Sequence, residues 1–515
     1  MNSRSIKMFK PQTGSLVFLV ALLTPFLPYL TRGAPFIGDS WVHLGIARDV
    51  LASGRYNLSS YNERWPLVNF LIILLARLTG LPELYAGQAV PLLVGLAALP
   101  FYSFCRRLGL SRFSSMVSVL FLSLNPLYSY VTFSGAVMKE TASFYLVTLL
   151  ILLASMSRDD LQTSCIISLI LASMGLVLGH HYAALVTFIT LWAFSVYALI
   201  RWLRSEASNP KGIISAAMIF TPFFLTWNIL NYLVLGAYFP VFEAWDGLLL
   251  TAVFIITLIS LLNDRGVFSS RFPWLAFTAF LVAILGLRWR LYILAQPVEP
   301  ITWGEARNYI IAAVFSLAGL SRSLEGEVLK ALAASSVTMV LFAFLLGHTA
   351  PGFTLLIKSL HYYGLLLALG AGLTAEWLLR WRRLKGFGGL LVIGTLLFMA
   401  YASSFGTILA LNGLGAYSRG ELESALRFPT PSSGVRVYGD THTSYLFQYA
   451  SNLSISGLRP LGSLEQGSLV ILLRPNWEQG FLYGYDWVVR EAIAPEREVM
   501  RRGRVFDSAY LRALI

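Results

Sequence analysis

The sequence predicts a polytopic α-helical membrane protein of about thirteen spans. Two interfacial helices are expected in its first outer loop, and a small extracytoplasmic α/β unit at its C-terminus. Three observations predict this. First, 56% of the residues are hydrophobic and only 13% are charged, where soluble chains carry about 25% charged residues. Second, the missing charge is missing in blocks: residues 85–104, 113–138, 212–242 and 386–418 contain no Asp, Glu, Lys or Arg. A helix of about 20 apolar residues crosses roughly 30 Å of hydrocarbon, and a helix pairs its own backbone groups there. Third, the composition reverts to that of a soluble chain after residue 411.

Taken in order, the spans are expected near 14–31, 85–104, 114–132, 141–156, 161–179, 182–200, 212–236, 247–262, 273–289, 308–321, 331–347, 360–378 and 386–410. The first follows Arg4, Lys7 and Lys10 and lacks a small-residue cleavage site, so it reads as a retained helix rather than a signal peptide. Segment 66–79 is apolar but about 14 residues long, which suits an interfacial helix better than a span. Residues 40–52 carry an amphipathic pattern that Gly54 terminates. Together these two helices fill the first outer loop, 32–84.

Orientation follows the positive-inside bias. A cytoplasmic N-terminus also places Arg106, Arg107, Arg112, Arg201, Arg204, Lys211 and the cluster Arg380, Arg382, Arg383, Lys385 in the cytoplasm. An odd number of spans then leaves the C-terminus outside. The chain divides into a membrane unit, 1–411, and an extracytoplasmic unit, 412–515. In the latter, short apolar runs such as Val435–Tyr438, Tyr445–Phe447 and Leu469–Leu473 alternate with Gly, Pro, Asn and Ser. The net charge of +13 does not indicate nucleic acid, because the basic residues flank membrane segments. Cys105 and Cys165 form no metal or disulfide pattern. No phosphate-cradling or dinucleotide-binding glycine motif occurs, and every inner loop is short.

The chemically capable residues gather at the outer boundary. Asp39, in Phe36-Ile37-Gly38-Asp39-Ser40-Trp41-Val42-His43-Leu44, suits a helix cap and equally a general base or metal ligand. Lys139-Glu140 stands at the outer start of a span, where an acidic residue is favourable. It also suits a site in which Glu140 pairs with Asp39 and Lys139 meets a phosphate. His180-His181-Tyr182 joins two spans almost without a loop, as a wet turn or as a phosphate or metal site. Arg288 and Arg290 end a span on the outer side against the charge bias, as a binding site for an anionic lipid or sugar phosphate would. Lys358 and His361 raise the same possibility. Arg64, beside the interfacial Trp65-Pro66, and Glu305, in the polar loop 290–308, complete the substrate-binding candidates.

The order of these features resembles the membrane glycosyltransferases of the GT-C superfamily. A first helix, a long outer loop opening with Asp39, an interfacial helix begun by Trp65-Pro66, a span ending in Arg106-Arg107 and a motif from Ser134 to Glu140 follow one another. The block Gly38–Ser157 is similar in layout to protein mannosyltransferases and aminoarabinose transferases, which use lipid-phosphate sugars. Asp39-Ser40-Trp41-Val42-His43-Leu44 also resembles the first acidic motif of oligosaccharyltransferase catalytic subunits. Ile301-Thr302-Trp303-Gly304-Glu305 resembles their outer-loop Glu motif. Their Trp-Trp-Asp-Tyr-Gly string is absent, the nearest being Tyr483-Gly484-Tyr485-Asp486-Trp487.

The resemblance implies an inverting transferase that takes a sugar from a polyprenyl-phosphate (dolichol-type) donor. The acceptor would be a hydroxyl of a glycan, lipid or protein on the outer face. Asp39 would be the base, Glu140 an orienting or metal-sharing residue, and Lys139, His180, His181 and Arg288 would stabilise the leaving phosphate. A divalent cation, Mg or Mn, held by Asp39 and Glu140 is compatible with this. The alternatives are an oligosaccharyltransferase for protein N-glycosylation and a transporter of lipid-linked sugars. The transporter predicts repeat symmetry and ionisable groups near the bilayer midplane, neither of which the sequence shows.

Overall fold

The computed structural model describes residues 11–27, 29, 38–58, 61–125, 135–156, 163–204, 210–233, 244–262, 292–293, 296–297, 303–323, 327–345, 350–380 and 385–411. Beyond these it describes 417–429, 431, 434–451, 453, 455–457, 468–473, 481–483, 490–492, 504–507 and 511–514. The chain is a mostly helical, polytopic membrane protein, and among the described residues six helices are long and apolar enough to cross a bilayer.

The helices of the first half are α1 (Pro11–Leu23), α2 (Gly38–Ser53), α3 (Leu67–Thr79), α4 (Glu83–Arg107), α5 (Arg112–Leu124), α6 (Lys139–Met156), α7 (Thr163–Gly179) and α8 (His181–Leu203). Those of the second are α9 (Lys211–Leu233), α10 (Ala244–Leu262), α11 (Trp303–Ser323), α12 (Glu327–Leu345), α13 (Ala350–Arg380) and α14 (Lys385–Leu411). The six clear spans lie in α4, α6, α8, α9, α13 and α14. Among the described residues the apolar stretches of the other helices are shorter, as in Leu248–Thr257, Arg307–Leu320 and the 13 residues of α5, so a count of thirteen spans remains an expectation. The stretch 273–289 lies outside the described residues.

Both stretches expected as helices in the first loop are helical. α2 covers 40–52 and stops at Gly54, whose positive φ of 69° reverses the chain. α3 starts after Pro66 and ends on Gly80, left-handed at φ 70°. It buries Val68, Ile72 and Ala76 at spacing four and exposes Phe70, Leu74 and Leu78. Such a helix has one face for protein and one for lipid.

Within the bundle, α13 is the central element of the second half, packed against α5, α11 and α12. Small residues permit this. Gly319 of α11 and Gly370 of α13 sit where an added methyl would overlap the facing backbone, and such residues let membrane helices approach. Gly319→Val is therefore expected to lower stability by about 1–3 kcal/mol, as overpacking does, and thermal unfolding in detergent checks it. α9 and α14 remain largely exposed along their spans, as lipid-facing helices must. At the end bearing Arg106 and Arg107, Arg107 Nε donates to the Ser155 carbonyl at 2.8 Å and the Ser111 amide donates to Glu376 at 3.0 Å. These bonds tie the α4–α5 turn to the ends of α6 and α13.

Beyond α14 lie two helices and a sheet. α15 (Arg419–Leu426) begins with a capping box of Ser418 and Glu421, and α16 spans Thr441–Ser451. Two short antiparallel pairs are β1 (Tyr292–Ile293) with β2 (Gln296–Pro297), and β6 (Phe481–Tyr483) with β7 (Arg490–Ala492). The main sheet comprises β3 (Val437–Gly439), β4 (Ser456–Gly457), β5 (Leu469–Leu473), β8 (Arg504–Asp507) and β9 (Leu511–Leu514), ordered β4-β3-β5-β9-β8. β3 pairs in parallel with β4 and β5, while β9 is antiparallel to β5 and β8. Tyr445–Phe447 lies in α16, not in a strand.

α16 docks on α2. Trp41 meets Tyr449 and Tyr417 edge-on at 5.0 and 5.5 Å between ring centroids. A Cβ on Gly45 would stand 3.0 Å from the Gln448 carbonyl, so glycine allows the close approach. Arg48 donates to the Tyr449 carbonyl, and the Tyr449 hydroxyl bonds Glu83 at 3.2 Å. One apolar core thus joins α2, α3 and the sheet.

Candidate active site

Four segments distant in sequence meet at the end of the bundle opposite Arg106 and Arg107: the start of α2, the start of α6, the α7–α8 junction and Lys358 in α13. α2 opens at Gly38, so Asp39 lies in its first turn rather than before it. A carboxylate there meets the positive end of the helix. The helix is held by the Val137 amide, which donates to Ser40 Oγ at 2.9 Å. The Asp39 carboxyl accepts from the Tyr445 hydroxyl of α16 and feels the charges of Lys139, Glu140 and Lys358. Asp39 is half-buried. Burial pushes its pKa above the ordinary carboxylate range; Lys139, Lys358 and the Tyr445 bond oppose that rise, and Glu140 adds to it.

Lys139 and Glu140 open α6, and both are buried. The Lys139 ammonium donates to Asn62 Oδ1 at 2.8 Å and lies 3.8 Å from the Tyr61 ring centroid. Glu140 accepts from two donors, His180 Nε2 at 3.1 Å and the Lys358 ammonium. The local chain determines which nitrogen of His180 carries the proton. His180 is the N-cap of α8, extended at φ −163°, and its Nδ1 accepts from the Ala183 amide at 3.2 Å. Nε2 therefore bears the hydrogen that Glu140 receives. Lys358 lies 5.1 Å from the Tyr182 ring centroid and keeps its side chain 20% exposed, against 3% for the Lys139 residue. Of the two lysines, Lys358 is thus the more exposed.

The remaining candidates divide. His181 is buried against Trp65, with ring centroids 5.0 Å apart, and its Nε2 lies 3.3 Å from the Tyr61 hydroxyl. His361 is buried on α13, three residues after Lys358, and feels the charges of Glu140, Lys358 and His180. Arg64 Nε donates to the Leu58 carbonyl at 3.2 Å, tying down its own turn. Arg288 and Arg290 lie outside the described residues. Glu305 lies in the first turn of α11, where the backbone alone is described.

The sequence alone did not single out several members. His43 follows Asp39 by four residues, one helical turn, so spacing was the available signal. It is fully buried, and its Nδ1 donates to Asn69 Oδ1 at 2.8 Å. Asn69 is oriented in turn by its Nδ2, which donates to the Tyr56 hydroxyl at 2.8 Å. His43 Nε2 is buried with no hydrogen-bond partner among the described residues. Burial, with Lys139 nearby, lowers the His43 pKa to about 4, so the ring is a neutral acceptor at neutral pH. Asn62 and Tyr61, which hold Lys139, and Tyr445 carried no local signal at all.

Asp39 and Glu140 are the pair expected to share a divalent cation. Mg and Ca need a shell of several oxygen ligands. Among the described residues no three His, Cys, Asp or Glu side chains gather to supply one. Glu140 is engaged by an ammonium and an imidazole N–H, donors that repel a cation. This arrangement does not fit a bound divalent ion.

No family model matches the chain, and no curated protein matches its sequence. Solved structures do match. The archaeal oligosaccharyltransferase AglB from Archaeoglobus fulgidus, in complex with an inhibitory peptide and a dolichol-phosphate, is similar at TM-score 0.51 and 12% identity, over 86% of this chain and 64% of that one. The A. fulgidus oligosaccharyltransferase in complex with Zn and sulfate matches at TM-score 0.52 and 11% identity, over 86% and 61%. ArnT from Cupriavidus metallidurans bound to undecaprenyl phosphate gives TM-score 0.41 and 11% identity, over 98% and 96%. The chain thus spans 61–64% of the length of these oligosaccharyltransferases. At such identity the likeness is one of fold alone, shared with the archaeal oligosaccharyltransferase.

Proposed function

We propose that the chain is an inverting glycosyltransferase that moves a sugar from a polyprenyl-phosphate donor to a hydroxyl of a glycan, lipid or protein. The observation that carries this reading is the convergence of a half-open carboxylate, Asp39, with the ammonium groups of Lys139 and Lys358 at one end of a membrane bundle. The bilayer delivers the donor: its tail lies among the helices and its phosphate reaches Lys358. The oligosaccharyltransferase of similar fold was solved with a dolichol-phosphate, a ligand of the class proposed for this site. We assign residues 1–411 to the membrane unit and 412–515 to an extracytoplasmic unit, with the site on the outer face and the N-terminus in the cytoplasm.

In this chemistry Asp39 takes the proton of the acceptor hydroxyl as its oxygen attacks the anomeric carbon. The bond from that carbon to the donor phosphate breaks, and its electron pair leaves with the phosphate. Negative charge grows on the phosphate during the step. Positive groups already in place there lower the barrier without reorganising. Glu140, itself held by the His180 Nε2 hydrogen, holds Lys358; Asn62 and Tyr61 hold Lys139, and neutral His43 offers an acceptor one turn from Asp39.

A base must be ionised, so activity is expected to fall as pH drops through the raised Asp39 pKa. Tyr445→Phe removes a hydrogen bond that favours the carboxylate, so the acid limb of the kcat/KM profile is expected to move to higher pH. An unchanged limb would separate Tyr445 from Asp39.

Oligosaccharyltransferase activity is the second reading, favoured by the fold match. The two separate when the purified full chain is offered a polyprenyl-monophosphate sugar and, separately, a lipid-diphosphate oligosaccharide with an Asn-X-Ser/Thr peptide. Turnover of the first alone is expected. Turnover of the second alone replaces this reading with its rival.

A further inference from the structure

Glu140 is where a cation belongs in this site, and the chain fills the place itself. Its carboxylate accepts the Lys358 ammonium and the His180 Nε2 hydrogen, the latter at 3.1 Å. The His180 tautomer is not free to change, because Nδ1 is committed to the Ala183 amide at 3.2 Å. His180 therefore faces Glu140 as a donor and has no lone pair to offer a metal there. Two carboxylates, Asp39 and Glu140, stand with two ammonium groups, Lys139 and Lys358, so the four charges cancel before a donor binds. A divalent ion added to that set would sit against an ammonium on one side and an N–H on another.

We propose that Lys358 is a built-in counter-charge in the position of a dissociable metal, and that sugar transfer by this chain proceeds without a divalent cation. This rests on the glycosyl-transfer reading above. An ammonium tethered through a salt bridge to Glu140 is preorganised for the departing phosphate, and its open side is the part of the cluster an anion reaches. It carries one charge where a metal ion carries two. A phosphate diester in the donor bears one negative charge and gains a second as the sugar leaves, so a positive group already in place favours its departure.

Two measurements on the purified full chain test this. Mn²⁺ titration followed by electron paramagnetic resonance reads the site whether or not the donor is turned over. The expected result is no stoichiometric Mn²⁺ binding, and a thermal midpoint unaffected by EDTA. One bound equivalent of Mn²⁺ that is lost in Asp39→Asn or Glu140→Gln overturns the proposal. In the transfer assay, EDTA is expected to leave wild-type turnover unchanged. Lys358→Met is expected to lose about 100-fold, the scale of removing one preorganised stabilising donor, and Lys358→Arg to recover part of it. Turnover that EDTA abolishes and Mg²⁺ or Mn²⁺ restores also overturns it. Absence of turnover under every condition counts against the transferase reading alone, and the Mn²⁺ titration still decides the metal question.

Discussion

Asp39→Asn is expected to reduce sugar transfer by about 10²–10⁴-fold, the usual contribution of a positioned general base. The substitution keeps the size of the side chain and its place in the first turn of α2. The amide oxygen still accepts from Tyr445, and Lys139, whose charge Asp39 helps to balance, keeps Asn62 Oδ1 and the Tyr61 ring. Folding is therefore expected to survive, and a thermal midpoint close to that of wild type shows that the loss is chemical. Because the ammonium groups remain, donor binding is expected to persist, so the loss should fall on kcat rather than KM. A loss confined to KM would assign Asp39 to binding and leave the base unidentified.

Glu140→Ala is expected to have the largest effect on stability. Glu140 is 6% exposed and accepts from both Lys358 and His180. Removing it strands the Lys358 ammonium beside an N–H, and breaking a buried ion pair from one side costs about 3–5 kcal/mol. Removing both charges behaves differently. Glu140→Leu with Lys358→Met leaves no orphan ion, so the double variant is expected to be more stable than Glu140→Ala. Unfolding in detergent checks both. A single variant as stable as wild type would show that the pair is not formed.

Where chemistry was confined to one turn of chain, the sequence was informative. Asp39, Glu140 and His180 each stand at a helix start, because an apolar run begins immediately after them, and the structure places all three there. Helix 38–53 was legible from its amphipathic pattern and Gly54, and helix 67–79 from its short apolar run. Pairings between distant segments were not legible. Lys358 meets Glu140 across 218 residues, and nothing in Ile357-Lys358-Ser359 indicates a partner. Tyr445 sits in an apolar run of a unit read as separate, and only the docking of α16 on α2 brings it to Asp39. Span counting met a different limit. Hydropathy finds apolar stretches but not how far each runs as a helix, and α5 is only 13 residues long. The metal expectation rested on two carboxylates alone, and the Lys358 ammonium that meets Glu140 lay in another helix.

Transfer of labelled sugar from a synthetic polyprenyl-monophosphate donor by the purified full chain, run beside Asp39→Asn, tests the transferase activity most directly. Turnover by wild type and a loss of about 10²–10⁴-fold in the variant are expected. A folded wild-type chain that neither transfers nor hydrolyses any such donor, or an Asp39→Asn chain as active as wild type, would contradict it.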